Sequence, residues 1–296
     1  MSLGQSNENN AGTIDLESKN IFKRIKSTLI LKNLLDSVYK KVLFGIIKYN
    51  KEAQNRLKLS LKDFEECSKL FSSVEIEIKP ALYKYGKFIN ILKEEDKIHY
   101  HIFFNNDEGE TRRRYIKKDE IVNKIRIIIG FKINSFEKLF YDCACIESIN
   151  FIKFLRTTIT NMSYMFCGCT SLKELNLSNF ITNNVTCMDS MFSRCVLIKE
   201  LNLPNFNTKN VNDMTFMFSD CHLLEKLDLS NFNTSNVLNM SYMFFECSSL
   251  KELDLSNFSI NNETMMNYMF SGCSYELKMK IQSQNKTIKY EAFLDE

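Results

Sequence analysis

Ten cysteines and three histidines, with 39 Lys+Arg against 36 Asp+Glu, are the groups of this 296-residue chain that could do chemistry. Six of the cysteines, Cys143, Cys169, Cys195, Cys221, Cys247 and Cys273, recur at a constant step of 26 residues. Thiols in such number serve as disulfides, metal ligands, nucleophiles or small buried apolar groups. Cys143-Ala-Cys145 and Cys167-Gly-Cys169 bring four thiols together in sequence. Structural zinc sites, however, space their cysteines as C-x2–4-C, and two of these four belong to the periodic set. Side chains at one repeat phase point in parallel, whereas a disulfide needs Cβ vectors that converge. The periodic cysteines are therefore expected as a ladder of reduced thiols, with Cys67, Cys145, Cys167 and Cys187 out of phase.

The other chemical constellations are weaker. His99 and His101 fall on one face of the alternating run 98–104, and two histidines at i, i+2 of a strand can share a metal. No third ligand has an identifiable position, so a solvated strand face is expected and no metal is assigned. Arg112-Arg113-Arg114 with Lys117-Lys118 could touch phosphates, yet it follows Asn105–Gly109 and reads as the exposed return strand of a hairpin. His222 stands beside Cys221, but a Cys–His nucleophile needs an exposed thiol and an orienting partner, which a core position denies. Nucleophile elbows, P-loops, His-Glu-x-x-His and dinucleotide fingerprints are absent. The chain is expected to be no enzyme and to carry no cofactor. Its net charge of +3 excludes a purely electrostatic nucleic-acid binder. That charge is divided unevenly, with +8 over residues 1–138 and −5 over 139–296, as two different structures would have it.

What positions the cysteines is a repeat. Met-Phe recurs at 165–166, 191–192, 217–218, 243–244 and 269–270. Leu-x-Leu pairs keep the same step at Leu175/Leu177, Leu201/Leu203, Leu227/Leu229 and Leu253/Leu255, as do Phe180, Phe206, Phe232 and Phe258. Leu139-Phe140 and Ile149/Phe151 stand one period upstream, and Met279/Ile281 one period downstream, as degenerate end members. The Leu-x-Leu alternation predicts a strand, and Thr182-Asn183-Asn184 a polar turn. Val185, Met188, Met191/Phe192 and Cys195 then fall at i, i+3, i+6/7 and i+10, which predicts a short helical segment capped by Asn184. One such unit buries too few side chains to offset the entropy of ordering its backbone, so units must stack.

The run Ser-Leu-Lys-Glu-Leu-Asn-Leu-Ser-Asn-Phe (171–180), followed by Asn-Val-x-x-Met and Met-Phe-x-x-Cys, resembles the BspA-like leucine-rich-repeat family. The resemblance covers nearly half the chain. It implies an α/β solenoid: a right-handed arc with a parallel β ladder and short helical segments, serving adhesion or protein–protein interaction. Bacterial members of that family typically carry an export signal and an anchor. The first twenty residues here are polar and no apolar stretch is long enough to cross a bilayer, so a cytoplasmic location is expected. A cell-surface adhesin would need another export route.

The organisation expected is a disordered tail at 1–20, a helical segment at 21–70, a β-rich cap at 71–138, repeats at 139–281 and a C-terminal tail at 282–296. Residues 21–60 show helical apolar spacing that vaguely resembles an F-box module, without its early Leu-Pro or late Trp. The implied alternative is an adaptor whose helices bind a ligase core. Strands are predicted at Val74–Ile78, Phe88–Leu92, Ile98–Phe104, Arg112–Ile116 and Ile125–Ile129, the last seeding the repeat ladder. If the repeat leucines point inward, the intervening positions form outward columns: Glu174, Glu200, Lys226 and Glu252, then Asn176, Asn202, Asp228 and Asp254. These columns are the candidate partner-binding face of a non-catalytic interaction scaffold, with a polar or basic protein as partner and no nucleic acid.

Overall fold

The computed structural model describes residues 73–295 apart from Phe131 and Leu155, together with Asn55. The tail read at 1–20, the helical segment at 21–70 with its F-box-like reading, and Cys67 lie outside the described residues. The chain divides into two units at Phe71/Ser72, and all that follows concerns the second. It is β-rich, with few helices. None of its described helices is long and apolar enough to cross a membrane.

Strict alternation builds the first strands. In β1 (Val74–Pro80), Val74, Ile76 and Ile78 are fully buried, while Glu75 and Glu77 turn outward. They meet Arg126 and Lys124, which flank the buried isoleucines of β5 (Ile125–Ile129). The two strands pair antiparallel with Ile76 opposite Ile127, and β3 (Tyr100–Phe104) covers the other edge of β5. On its far side β1 pairs antiparallel with β6 (Ile146–Phe154), and β6 pairs parallel with β7 (Glu174–Asn176). The sheet order is β3-β5-β1-β6-β7. Thus β1, and not Ile125–Ile129, meets the first strand of the repeats. Both edges of β5 are already taken by antiparallel neighbours, and its near-repeat phase is coincidental.

Three further expectations are corrected here. Phe88–Leu92 forms no strand: Phe88 and Ile89 are buried in a segment held by Phe88 N to Arg114 O and Asn90 N to Leu139 O. Ahead of it, β2 (Gly86–Lys87) pairs with β4 (Tyr115–Ile116). Arg112–Arg114 form no return strand: only Thr111, just ahead of them, bridges Ile102 before the chain leaves to pair at Tyr115–Ile116 with β2. His99 lies in a 3-10 turn, Glu94–His99, and not on the strand with His101.

From Ser135 the 26-residue units follow one another through parallel bridges at Ser135, Asn161, Cys187, Asp213, Asn239 and Met265. Their strands are short: β8 (Glu200–Leu201) pairs parallel with β9 (Lys226–Leu227), and Leu253/Leu255 are buried without a strand partner. The segments predicted as short helices are chains of turns. Met165 N returns to Met162 O and Cys169 N to Phe166 O. The N–H groups of Met162, Tyr164, Phe166 and Gly168 instead donate to Cys187, Asp189, Met191 and Ser193 of the next unit, at 2.9–3.1 Å. An α-helix would spend those donors on carbonyls four residues back. Two columns of left-handed residues mark the turns: Lys138, Tyr164, Ser190, Phe216, Tyr242, Tyr268, and Asp142, Gly168, Arg194, Asp220, Glu246, Gly272. Outside glycine each costs roughly 1–2 kcal/mol, offset by inter-unit hydrogen bonds of about 1 kcal/mol apiece and by the core.

That core is two ring columns. Phe140, Phe166, Phe192, Phe218, Phe244 and Phe270 stack at 5.5–5.7 Å between centroids. Phe154, Phe180, Phe206 and Phe232 form the second column. The far end is closed by structure where Met279/Ile281 read as a degenerate strand. These residues lie on helix α1 (Tyr275–Gln284), whose N-cap Ser274 Oγ accepts from Leu277 N and whose Leu277 and Ile281 are buried. The segment read as a tail docks beyond it. Phe293 stacks on Phe270 at 5.3 Å, and Phe270 N donates to Ala292 O.

Candidate partner-binding face

The strand pleat delivers the predicted columns to the surface. Glu174, Asn176, Glu200, Asn202, Lys226, Asp228, Glu252 and Asp254 are all exposed, while the leucines between them are buried except the half-buried Leu175. Each column has its own electrostatics. In the first, Lys226 Nζ lies 2.6 Å from Glu200 Oε1, and that hydrogen bond raises the lysine pKa. Lys280 of α1 reaches Glu252 at 3.2 Å. From Glu200 onward the column therefore carries charges of both signs.

The second column is tied to the backbone. Asn176 Oδ1 accepts from Ser178 N at 3.0 Å, Asp228 Oδ1 from Ser230 N at 2.9 Å, and Asp254 Oδ1 from Ser256 N at 2.8 Å. These are Asx turns, which fix the side chain and turn the chain out of the strand. They also hold both aspartates below the usual carboxylate range. Asn202 stands apart, because Pro204 has no N–H to offer at that position. Asn176 Nδ2 donates to Asn150 Oδ1 at 2.9 Å and carries the column one unit upstream. At the other end a cleft of about 370 Å³ opens between Glu252, Asp254 and Ser256 and the α1 residues Lys280 and Gln284.

The remaining candidates are engaged elsewhere. Cys169, Cys195, Cys221, Cys247 and Cys273 each donate their thiol to the carbonyl of a phenylalanine 29 residues back, at 3.0–3.2 Å. Burial pushes Cys221 and Cys273 up to about 12 and the other three well above the ordinary thiol value. Buried, protonated thiols are inert as nucleophiles. Cys143 and Cys145 are also raised by burial, and Cys145 donates to Lys87 O at 3.2 Å. His222 Nδ1 faces Glu246 O at 3.0 Å, so it forms no pair with Cys221. His101 faces Glu110 at 3.1 Å. Arg113 makes two bonds to Glu120, at 2.6 and 2.7 Å, and lies over the Phe104 ring. Among the described residues, one group has metal-ligand proximity: Cys187, Asp189 and Asp213. Its thiol is engaged by Asp189 at 3.0 Å, and Asp213 Oδ1 accepts both Thr215 N and Thr215 Oγ1.

Several residues hold the face in place through bonds that the sequence alone does not show. Thr182, Thr208 and Thr234 donate to the carbonyls of Asn207, Asn233 and Ser259, and accept from the same residues' N–H groups. Their signal was present as Phe-x-Thr at the repeat step. Asn184, expected as a helix cap, donates to Thr157 O, and Asn210 and Asn236 repeat that bond one and two units on. Arg156, only 1% exposed, donates to the carbonyls of Ile129, Gly130 and Ile133 and clamps the cap onto the first unit.

A leucine-rich repeat protein from Bacteroides ovatus is similar at 15% identity, over 49% of this chain and 46% of that one, with a TM-score of 0.26. The chain thus spans about half the length of that structure, and a score so low carries no argument. No curated protein matches the sequence. A family described as Mycoplasma protein of unknown function, DUF285, matches residues 134–226 and 198–290, which together exceed half of the chain. These matches begin at the first bridged unit and end in the closing segment, and the chain belongs to the DUF285 family.

Proposed function

We propose that the repeats form a right-handed solenoid that acts as a non-catalytic protein–protein interaction scaffold. Its binding surface is the outward strand face of Glu174, Asn176, Glu200, Asn202, Lys226, Asp228, Glu252 and Asp254. The observation that carries this reading is the exposure of all eight side chains over leucines that are buried except the half-buried Leu175, with Glu200 and Lys226 side by side across the parallel pair β8 and β9. Two supports add to it. The Asx turns hold part of the face in one conformation, which lowers the entropy a partner must remove on binding. The periodic thiols Cys169, Cys195, Cys221, Cys247 and Cys273 are buried, and burial raises their pKa.

Carboxylates outnumber the single lysine among the eight, so the partner is a polar or basic protein. The test is affinity capture under reducing conditions with the full chain and with a Glu174→Lys/Glu200→Lys/Glu252→Lys variant. The triple change is expected to lose the captured partner by at least about tenfold, as reversal of several rim charges does. Capture of every partner at wild-type level would remove the strand face from consideration.

A further inference from the structure

The turn ahead of β2 carries a surface that neither the repeats nor the scaffold reading uses. Its base is fixed, since Ala81 N donates to Cys145 O at 2.8 Å and Lys84 N to Ala81 O at 3.1 Å. Its tip points away from the protein. Leu82 is 78% exposed, Tyr83 97% and Tyr85 56%, and Tyr83 sits at a left-handed φ of 58°. Across the β2–β4 ribbon, Tyr115 is paired with Lys87 and is itself half exposed. Four large side chains with apolar bodies are thus held in water by a rigid base.

Their surroundings are basic. Lys84, Lys87, Lys117 and Lys118 are exposed, no acidic residue occurs between Lys79 and Lys93, and exposed Asp119 beside Lys118 leaves the four lysines in excess. Lys79 itself is taken up by Glu147 at 3.3 Å, and the nearby Glu120 is bound by Arg113. A leucine at an apex, tyrosines flanking it and lysines behind match the polarity gradient of a bilayer surface. There the apolar tip enters the acyl boundary, tyrosine sits at the headgroups, and lysine meets anionic lipid. A tip this exposed offers no recess for a protein side chain, and a soluble polyanion would leave Leu82 in water.

We propose that the Leu82–Tyr85 tip, with Tyr115 and the lysines at 84, 87, 117 and 118, docks this protein on the surface of membranes containing anionic lipid. The probe is co-sedimentation of the full chain with vesicles of phosphatidylcholine alone or with roughly one third phosphatidylglycerol. Anionic vesicles should bind at least about tenfold more tightly, and each lysine should contribute about fivefold, so Lys84→Glu/Lys87→Glu should weaken binding by about 25-fold or more. Leu82→Asp/Tyr83→Ser should abolish it while leaving the fold intact, because both positions are exposed. The chain contains no Trp, so Tyr83→Trp supplies a single tryptophan whose emission should shift to the blue on the anionic vesicles. Equal binding to both vesicle types, an unshifted Trp spectrum, or retention unaffected by the Leu82/Tyr83 change would overturn the proposal. So would equally tight binding of single-stranded RNA that survives that change, since the surface would then be a polyanion site.

Discussion

At the scale of single residues, the periodic cysteine shows how a reactive group becomes a structural one. Each ladder thiol is small enough to sit beside Met and Phe, and its weak donor adds a second hydrogen bond to a carbonyl that already accepts a turn N–H. Burial raises every one of these pKa values, so the folded chain retains protons that the unfolded chain releases near pH 9. Stability from the ladder is therefore complete below about pH 9 and is lost as pH rises toward the folded values, which for Cys221 and Cys273 are about 12. Urea midpoints under reducing conditions are expected to hold steady from pH 7 to 8.5 and to fall progressively above pH 9. A Cys195→Ala/Cys221→Ala variant should show a shallower fall, because fewer thiols then discriminate the two states. A midpoint that does not move up to pH 10.5 would refute the ladder's protonated role. Reading the cysteines as a reduced ladder needed only their phase. The carbonyl partner 29 residues back was hidden, because nothing in one unit says which atom of the previous unit faces it.

At the scale of elements, the unit is a strand followed by turns, and the difference from the expected helix is physical. Apolar spacing of i, i+3 and i+7 is shared by a helix and by consecutive tight turns whose backbones return every three or four residues. Helix propensity could not decide, because the deciding factor is where the N–H groups go, and that is fixed by the neighbouring unit. The left-handed columns are the clearest mark, and only Gly168 and Gly272 advertise them. Ten non-glycine residues at such φ values give no sequence signal. Gly168 makes the turn testable. A Cβ there would stand 2.0 Å from Asp142 Oδ1 and 3.3 Å from its Cα, at a φ of +75°. The missing side chain also lets Arg194 reach Asp142 from two units away, at 4.0 Å. Gly168→Ala is expected to destabilise by about 1–2 kcal/mol from the left-handed conformation, plus whatever Asp142 loses by moving. Urea unfolding measures it, and a neutral result would mean the turn relaxes out of that conformation.

At the scale of the whole molecule, the period made the stacking of units legible, while the closures at both ends were not. The N-terminal closure depends on β1 pairing antiparallel with β6 from about seventy residues away, and no local pattern specifies a non-local antiparallel partner. The C-terminal closure uses α1 and Phe293, which leave the repeat pattern because they must end it. Between these closures the units of Thr182, Thr208 and Thr234 offer their neighbours the same groups: a phenylalanine face, a Thr hydroxyl, a Cys donor and four turn N–H groups. Units should therefore be interchangeable. Deleting residues 191–216 joins Ser190 to Met217, which keeps Phe166 in register with Phe218 and brings Cys221 to the carbonyl that Cys195 now occupies. The shortened chain is expected to fold cooperatively, with a lower urea midpoint and an m-value smaller by roughly a tenth, in step with the surface removed. Loss of the cooperative transition would show that the interior units differ in ways their sequences conceal. Retention of it would show that the strand face can be shortened by one row without disturbing either end. Partner capture by such shortened chains would then count how many rows of the Glu and Asn/Asp columns recognition requires.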